Sequence, residues 1–434
     1  MTRKGGMNCT FLNFTMKTAK LGILIVTIIG TAIMIPYFVG SLNAAERDYV
    51  LIGRPETSTG PISGFGEPSP WADNRVLDYI NKQGGVFIEE YGKKVPVKMK
   101  LMDNESSGTK AGEIASRLIL HDKVDMMVFY QFSEAIASIC ERYEMPNLVV
   151  EHPLEPWQAG GPYKWSYQSG ISFKSAIAAW TAIWEEYIDR TNKTFGVLAP
   201  NDADGIAMAK NFTKMIEDKD WKVVDVGRYP SGLQDWTSVV KRMKDGKVQI
   251  LTGSMASPDF AAAWRQINQQ GAVPKICSVG RATLFPSGVN AIGGDLSHGL
   301  VVDIHWNPQY PFKSSLTGET CQQVADAWDK ETKKQWTQVL GFKYAGMELA
   351  IDILKRARSI DKNKILKAIE ETDLETLIGR IKYNKDHYCL TPIVTGQWIK
   401  GKTWPWEPVI VNNKHFPVIP VTAEMIFPLP GYRE

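Results

Sequence analysis

The feature that most constrains the fold of this chain is a regular alternation of strand-like and helix-like segments from residue 50 onward. Short runs of β-branched and other apolar residues are separated by longer segments with one apolar stripe, among them Gly108–His121, Phe173–Arg190 and Asp204–Asp218. Strands that alternate with amphipathic helices predict parallel sheets covered by helices on both faces. The predicted strands are Val50–Gly53, Val97–Met102, Met126–Phe129, Asn147–Val150, Thr194–Leu198, Lys222–Val226, Val248–Thr252, Ile276–Val279 and Gly299–Ile304.

An internal repeat predicts two lobes of one design, and the chain is long enough for both. A strand and the start of a helix at 123–133 have a counterpart at 247–259, and each pair is followed by another strand. Three crossings of the chain between such lobes would form a hinge. The predicted pieces are a first lobe over 48–165 plus 299–375 and a second lobe over 170–298 plus 380–420.

Residues 1–45 predict an export signal. They carry four basic residues and no acid, Leu21–Val39 is uncharged and mostly apolar, and Ala44 and Ala45 supply a small-residue end. This order is typical of a secretory signal peptide. An apolar run of this length is also sufficient to span a membrane, so an uncleaved anchor is the alternative. The helix-breaking Pro36 favours cleavage.

The composition limits both the partners and the chemistry. The whole chain has a formal net charge of +3, so loss of the four basic residues in 1–45 would leave −1. A nearly neutral domain argues against nucleic acid as a partner. The sequence lacks the signatures of nucleophile elbows, P-loops, zinc proteases and dinucleotide sites, so we predict no enzyme, no cofactor and no metal.

The cysteines do not predict a metal site either. Cys9 falls in the predicted signal, and the other four cysteines are far apart, without a Cys-x-x-Cys pair. Cys140 lies on an apolar helical stripe and is predicted to be a small buried side chain. In an oxidising compartment Cys321 and Cys389 could pair, which the sequence leaves open.

A glycine-rich loop follows the first strand, where open α/β sheets bind ligands. It reads Ile62-Ser-Gly-Phe-Gly66, and the next helix ends in Asp78-Tyr-Ile-Asn-Lys-Gln-Gly-Gly-Val86. Together with Gly379–Asn384 and Val394–Lys402, this pattern resembles the branched-chain amino-acid-type (type I) periplasmic solute-binding proteins of ABC transporters. The resemblance implies an α/β fold, with two doubly wound parallel-sheet lobes joined by a three-crossing hinge and a ligand between them.

In the first lobe, the resemblance implies five residues that bind the ligand. Phe65 matches an aromatic wall, and Ser133 matches a serine whose hydroxyl and helix N–H groups take the ligand's carboxylate. Tyr130 replaces a small residue and would narrow the pocket. Glu151 and His152 depart from the family pattern, and charged groups after a buried strand are expected to face the cleft. The alternatives are Phe65 packing on its own lobe, Ser133 as an ordinary N-cap, and a salt-bridged loop at Glu151 and His152.

In the second lobe, the resemblance implies three more. Asp204 stands where the family has an aromatic residue, and it would pair a cationic group or cap its helix. Ser257 belongs to the next loop of the cleft. Arg281 stands where amino-acid binders carry an acid, which indicates an anionic group on the ligand. An Asp204–Arg281 ion pair that does not touch ligand is the alternative.

The function that follows by resemblance is transport. The chain would bind a small polar molecule with a carboxylate, an amino acid or related organic acid, and deliver it to an ABC permease in the membrane. It would act in the periplasm or outside the cell. One alternative is a membrane-anchored ectodomain that senses a ligand. The other is a secreted enzyme with Glu151, His152 and Asp204 as acid and base groups.

Overall fold

A computed structural model describes residues 47–434, except for the side chains of residues 203, 204 and 207, so the predicted signal peptide and Cys9 lie outside the described part. In chain order the strands are β1 Val50–Glu56, β2 Val86–Ile88, β3 Lys93–Val95, β4 Val97–Asp103, β5 Met126–Phe129, β6 Asn147–Val150, β7 Ser166–Gly170, β8 Thr194–Pro200, β9 Lys222–Val224, β10 Arg228–Tyr229, β11 Ile250–Ser254, β12 Ile276–Gly280, β13 Val301–Ile304, β14 Asp373–Thr376, β15 Gly379–Lys382, β16 Tyr388–Leu390, β17 Val394–Lys400 and β18 Trp406–Asn412. The α-helices are α1 Ser69–Lys82, α2 Gly108–Leu120, α3 Ser133–Arg142, α4 Leu154–Ala159, α5 Phe173–Tyr187, α6 Ala203–Glu217, α7 Thr237–Asp245, α8 Ser257–Gln269, α9 Pro286–Ile292, α10 Cys321–Thr332, α11 Val339–Ala357 and α12 Lys362–Glu370.

The first sheet is a six-stranded parallel sheet in the order β16-β7-β6-β5-β1-β4. All seven residues of β1 are buried, as expected for a central strand covered on both faces. Helices α1 and α11 pack on one face of this sheet, and α2 and α3 pack on the other. This arrangement confirms the predicted α/β fold with parallel sheets.

The second sheet has eight strands in the order β10-β8-β11-β12-β13-β17-β18, with β9 also paired to β8. Its pairs are parallel from β10 to β13, and β17 and β18 continue it antiparallel. Each of the nine predicted strands overlaps an observed strand. Strands such as β7 and β10 were not predicted because they lack an apolar run.

Two strands lie in a different sheet from the one expected. We placed 299–304 in the first lobe, yet all four residues of β13 pair with β17 of the second sheet. We placed 380–420 in the second lobe, yet β16 pairs with β7 of the first sheet. An apolar pattern predicts that a strand exists but carries no information on its partner strand. The bounds of the two lobes stay a prediction.

The described cysteines are free thiols, so the possible bond between Cys321 and Cys389 is not formed. The Cys321 thiol donates instead to the carbonyl oxygen of Leu377 at 3.2 Å. Cys140 is fully buried beside Met127, which confirms its predicted place in the core. Between residues 47 and 434, no helix has the length and apolar character that a membrane span requires.

Candidate functional site

The loops that follow the carboxyl ends of neighbouring strands form one group on each sheet. In the first sheet β1, β5 and β6 end side by side, and in the second β8, β11 and β12 do the same. Open parallel sheets bind ligands at such carboxyl ends. Phe65, after β1, packs edge to face on Phe285, after β12, with ring centroids 5.0 Å apart. Phe65 therefore contacts a loop of the second sheet instead of packing only on the first, and the surfaces around this contact form the candidate site.

The loop that carries Phe65 is shaped by glycine and by a buried carboxylate. A Cβ atom on Gly66 would lie 2.1 Å from the carbonyl oxygen of Thr57, so only glycine lets the loop fold back onto the strand end. The Glu56 carboxylate accepts hydrogen bonds from the Thr57 N–H and the Ser69 hydroxyl. These bonds tie the loop to the start of α1 and hold Phe65 in place.

Ser133 and His152 form a buried polar pair at the start of α3. The helix cap is Phe132, with a φ of 57°, so Ser133 is the first helical residue and not the N-cap. Its Oγ lies 3.0 Å from His152 Nδ1, which also lies 3.0 Å from the carbonyl oxygen of Pro153. Burial lowers the pKa of His152 and so favours the neutral ring. A hydroxyl and a helix N-terminus at one point suit a carboxylate.

Glu151 is a buried carboxylate with few interactions to offset the cost of its burial. Its backbone is left-handed, with a φ of 72°, and only 4% of the residue is exposed. Its Oε2 atom has no hydrogen-bond partner, and no ion pair within 4.0 Å involves it among residues 47–434. The alternative, a salt-bridged loop at Glu151 and His152, is therefore not formed among the described residues. Burial raises the pKa of Glu151 to about 7, although Lys343 and His305 oppose the shift.

A cluster of buried charges lies beneath these strand ends. Arg54 donates to both carboxylate oxygens of Asp73, at 3.0 and 2.7 Å. Its guanidinium lies 4.7 Å from the centroid of the Tyr130 ring, and Lys343 Nζ lies 3.4 Å from the same centroid. The Tyr130 hydroxyl donates to the carbonyl oxygen of Lys343 at 3.1 Å. Tyr130, predicted to narrow the pocket, thus packs inside the first lobe as part of this cluster.

The loop after β8 is capped by a residue that the sequence reasoning passed over. The Asp202 side chain accepts from the Gly205 N–H at 2.7 Å, which makes Asp202 the N-cap of α6. Asp202, two residues before Asp204, thus has the capping role that the sequence suggests for Asp204. Asp204 lies in the first turn of α6, and its side chain is outside the described part of the structure.

The other two predicted residues of the second lobe are adjacent. The Ser257 hydroxyl, at the start of α8, donates to the carbonyl oxygen of Arg281 at 3.5 Å. Arg281 has a φ of 63° and an exposed side chain. Within the described residues, nothing pairs with its guanidinium. The Tyr229 hydroxyl nearby is buried without a hydrogen-bond partner. A free guanidinium beside a polar helix start can accept an anionic group.

Besides Asp202, sequence reasoning missed three further residues of this region. Lys343 interrupts an apolar run in α11 and Arg54 interrupts one in β1, and a lone charge in such a run is a signal for a buried ionic group. Phe285 gave no signal, because a single aromatic residue before a proline is ordinary.

Comparison with known proteins identifies the scaffold. The model of a family described as periplasmic binding protein matches residues 50–403. A leucine-binding protein from Thermotoga maritima is similar in structure, with a TM-score of 0.66, 20% identity, and coverage of 84% of this chain and 99% of that one. A branched-chain amino acid binding protein from Streptococcus pneumoniae, in complex with isoleucine, has a TM-score of 0.68 at 15% identity, over 83% and 99%. An ABC-transporter solute-binding protein from Rhodopseudomonas palustris, in complex with 3,4-dihydroxybenzoic acid, has a TM-score of 0.64 and 18% sequence identity. The match covers 86% of this chain and 99% of that one.

Proposed function

The chain belongs to the periplasmic binding protein family, and on that premise we propose that it is a receptor for a small polar carboxylic acid, such as an amino acid or a related organic acid. The ligand binds between the loops that end the strands of the two sheets, and closure of the lobes buries it. Binding stabilises the closed form by its difference in affinity for the two forms, so no covalent step is needed.

One observation carries this proposal: the loops after β1 and β12 meet at the Phe65–Phe285 contact, and polar groups that suit a carboxylate follow neighbouring strands of both sheets. On the first sheet, Ser133 and the free N–H groups at the start of α3 can donate to it. On the second sheet, Arg281 offers an exposed guanidinium with no partner in the described part of the chain. Glu151 adds an acceptor for a donor group of the ligand. Asp204 and Ser257 complete the proposed site.

The ligands of similar proteins agree with this class. Isoleucine and 3,4-dihydroxybenzoic acid, bound to two of them, are both carboxylic acids. They differ in everything else, so the scaffold accepts aliphatic and aromatic bodies. Here the side chains of Glu151, His152 and Arg281 make the site more polar than a pocket for a plain aliphatic side chain would be.

The test is a thermal-shift screen of the purified protein with carboxylic acids, each paired with its neutral amide. We expect at least one acid, at about a hundred times its dissociation constant, to stabilise the protein by about 2.7 kcal/mol, while its amide has a much smaller effect. No shift with any acid in a broad panel, or equal shifts with acid and amide, would refute a carboxylate receptor.

We further propose an ABC permease in the membrane as the partner of the closed form, and the periplasm or the cell exterior as the location. Both follow from the family and from the predicted signal at residues 1–45. Mass spectrometry of the protein from its own host tests the location. A mature N-terminus near Ala45 or Glu46 is expected, whereas a retained Leu21–Val39 segment would favour an anchored sensor.

A further inference from the structure

Lys343 is a buried cation that packs on Tyr130 and lies outside the proposed ligand site. It is fully buried in α11, and its ammonium group has no hydrogen-bond partner in residues 47–434. Its nearest carboxylate oxygen is Glu56 Oε1, 3.7 Å away, and the ring of Tyr130 covers one side of it. A buried ammonium without hydrogen bonds is costly unless something else accepts its protons.

Glu151 lacks the complementary partner, a hydrogen-bond donor. Its Oε2 atom is buried and accepts no hydrogen bond. Among residues 47–434 the two side chains form no ion pair within 4.0 Å. Lys343 Nζ lies 3.4 Å from the centroid of the Tyr130 ring, and Tyr130 follows β5 just as Glu151 follows the neighbouring strand β6. Helix α11, which carries Lys343, packs against β5 and β6, and Glu151 follows β6 directly. A donor and an acceptor at the same edge of a sheet that do not contact each other can be joined by one bridging atom.

The chemistry of the two groups selects that atom. A carboxylate would accept from Lys343 but would repel Glu151, and an ammonium would do the reverse. A hydroxyl oxygen can accept from the ammonium and donate to the carboxylate at the same time. We propose that Lys343 and Glu151 together bind a hydroxyl group of the ligand, so that this receptor selects hydroxylated carboxylic acids.

The inference rests on the proposed function and extends it to a second anchor point. His152, beside Glu151 in the chain, contacts the Ser133 hydroxyl, to which we assign the ligand's carboxylate. The two proposed anchor points thus involve consecutive residues of the loop after β6. Loss of a hydrogen bond to a buried charge leaves that charge unpaired, which is why such sites discriminate against ligands that lack the hydroxyl.

The experiment compares dissociation constants by calorimetry for matched acids, para-hydroxybenzoate against benzoate and gamma-hydroxybutyrate against butyrate. The proteins are the wild type, Lys343→Met, Glu151→Met and, as a surface control, Arg380→Met. We expect the wild type and the control to prefer the hydroxylated member of at least one pair by about ten- to a hundredfold. Both site variants should reduce that preference to about twofold or less, whereas Arg380→Met should keep it.

Several results would overturn the hydroxyl anchor. They also distinguish its failure from failure of the proposed carboxylate receptor. Equal binding of both members of each pair by the wild type refutes the hydroxyl anchor alone. It is also the result expected if a water molecule bridges the two side chains. A preference that survives in whichever variants fold refutes the assignment to Lys343 and Glu151. Failure of both acids of each pair, and of every acid in the broad panel, refutes the carboxylate receptor and this inference with it.

Discussion

Arg54→Met is expected to lower the free energy of unfolding by about 3–5 kcal/mol. The guanidinium is fully buried and makes two hydrogen bonds to Asp73 and one to the carbonyl oxygen of Val128. Methionine fills most of the same volume, so the loss comes mainly from the Asp73 carboxylate that is left buried without its cation. Urea denaturation followed by tryptophan fluorescence measures the effect.

The chain offers a matched control for this variant. Arg380 also forms a two-pronged ion pair, with Asp373 at 2.5 and 2.8 Å, but on the exposed hairpin of β14 and β15. Arg380→Met should therefore change the stability little, because water screens exposed pairs. The double variant Arg54→Met with Asp73→Leu should recover part of the loss, since no unpaired charge remains. Equal losses for Arg54→Met and Arg380→Met would contradict this view of the cluster.

Gly66→Ala is expected to cost about 1–3 kcal/mol and to weaken ligand binding. The new methyl group would meet the backbone carbonyl of Thr57 at 2.1 Å, and a backbone atom cannot rotate away as a side chain can. The loop must move to relieve this overlap, and Phe65 moves with it, away from Phe285. The midpoint of thermal unfolding and the dissociation constant of the best acid from the screen are the two quantities to measure.

Gly64, two residues earlier in the same loop, is the control. A Cβ atom there would lie 3.6 Å from the Phe285 ring, which is an ordinary contact distance. Gly64→Ala should therefore leave both the melting temperature and the ligand affinity close to those of the wild type. If both alanine variants behave alike, backbone crowding at Gly66 does not fix the loop.

Much of the fold was predictable because the apolar pattern of each central strand and helix is set by the residues themselves. All of β1 is buried, and the short apolar run at residues 50–53 already predicts a buried strand there. Partners of strands were less predictable, since β13 and β16 are assigned to sheets by contacts with distant strands. The same limit applies to Cys321 and Cys389, which sit on elements that are distant in sequence and remain free.

The candidate site was predicted in outline only. The sequence placed Ser133 and His152 after two neighbouring strands, and the structure brings them to 3.0 Å. The sequence could not show that the Tyr130 ring packs inside the first sheet's core. The ring is held there by Arg54 and Lys343, which belong to other elements. Side-chain direction at the end of a strand depends on packing partners far along the chain, and one sequence does not report them.

The most direct test of a ligand held between the two sheets is the calorimetric dissociation constant of the best carboxylic acid for the wild type, Ser133→Ala and Arg281→Ala. The two changes remove one candidate donor group from the loops of each sheet. We predict that each variant weakens binding about tenfold or more. Unchanged affinity in both variants would contradict the account, because the ligand would then bind elsewhere on the protein.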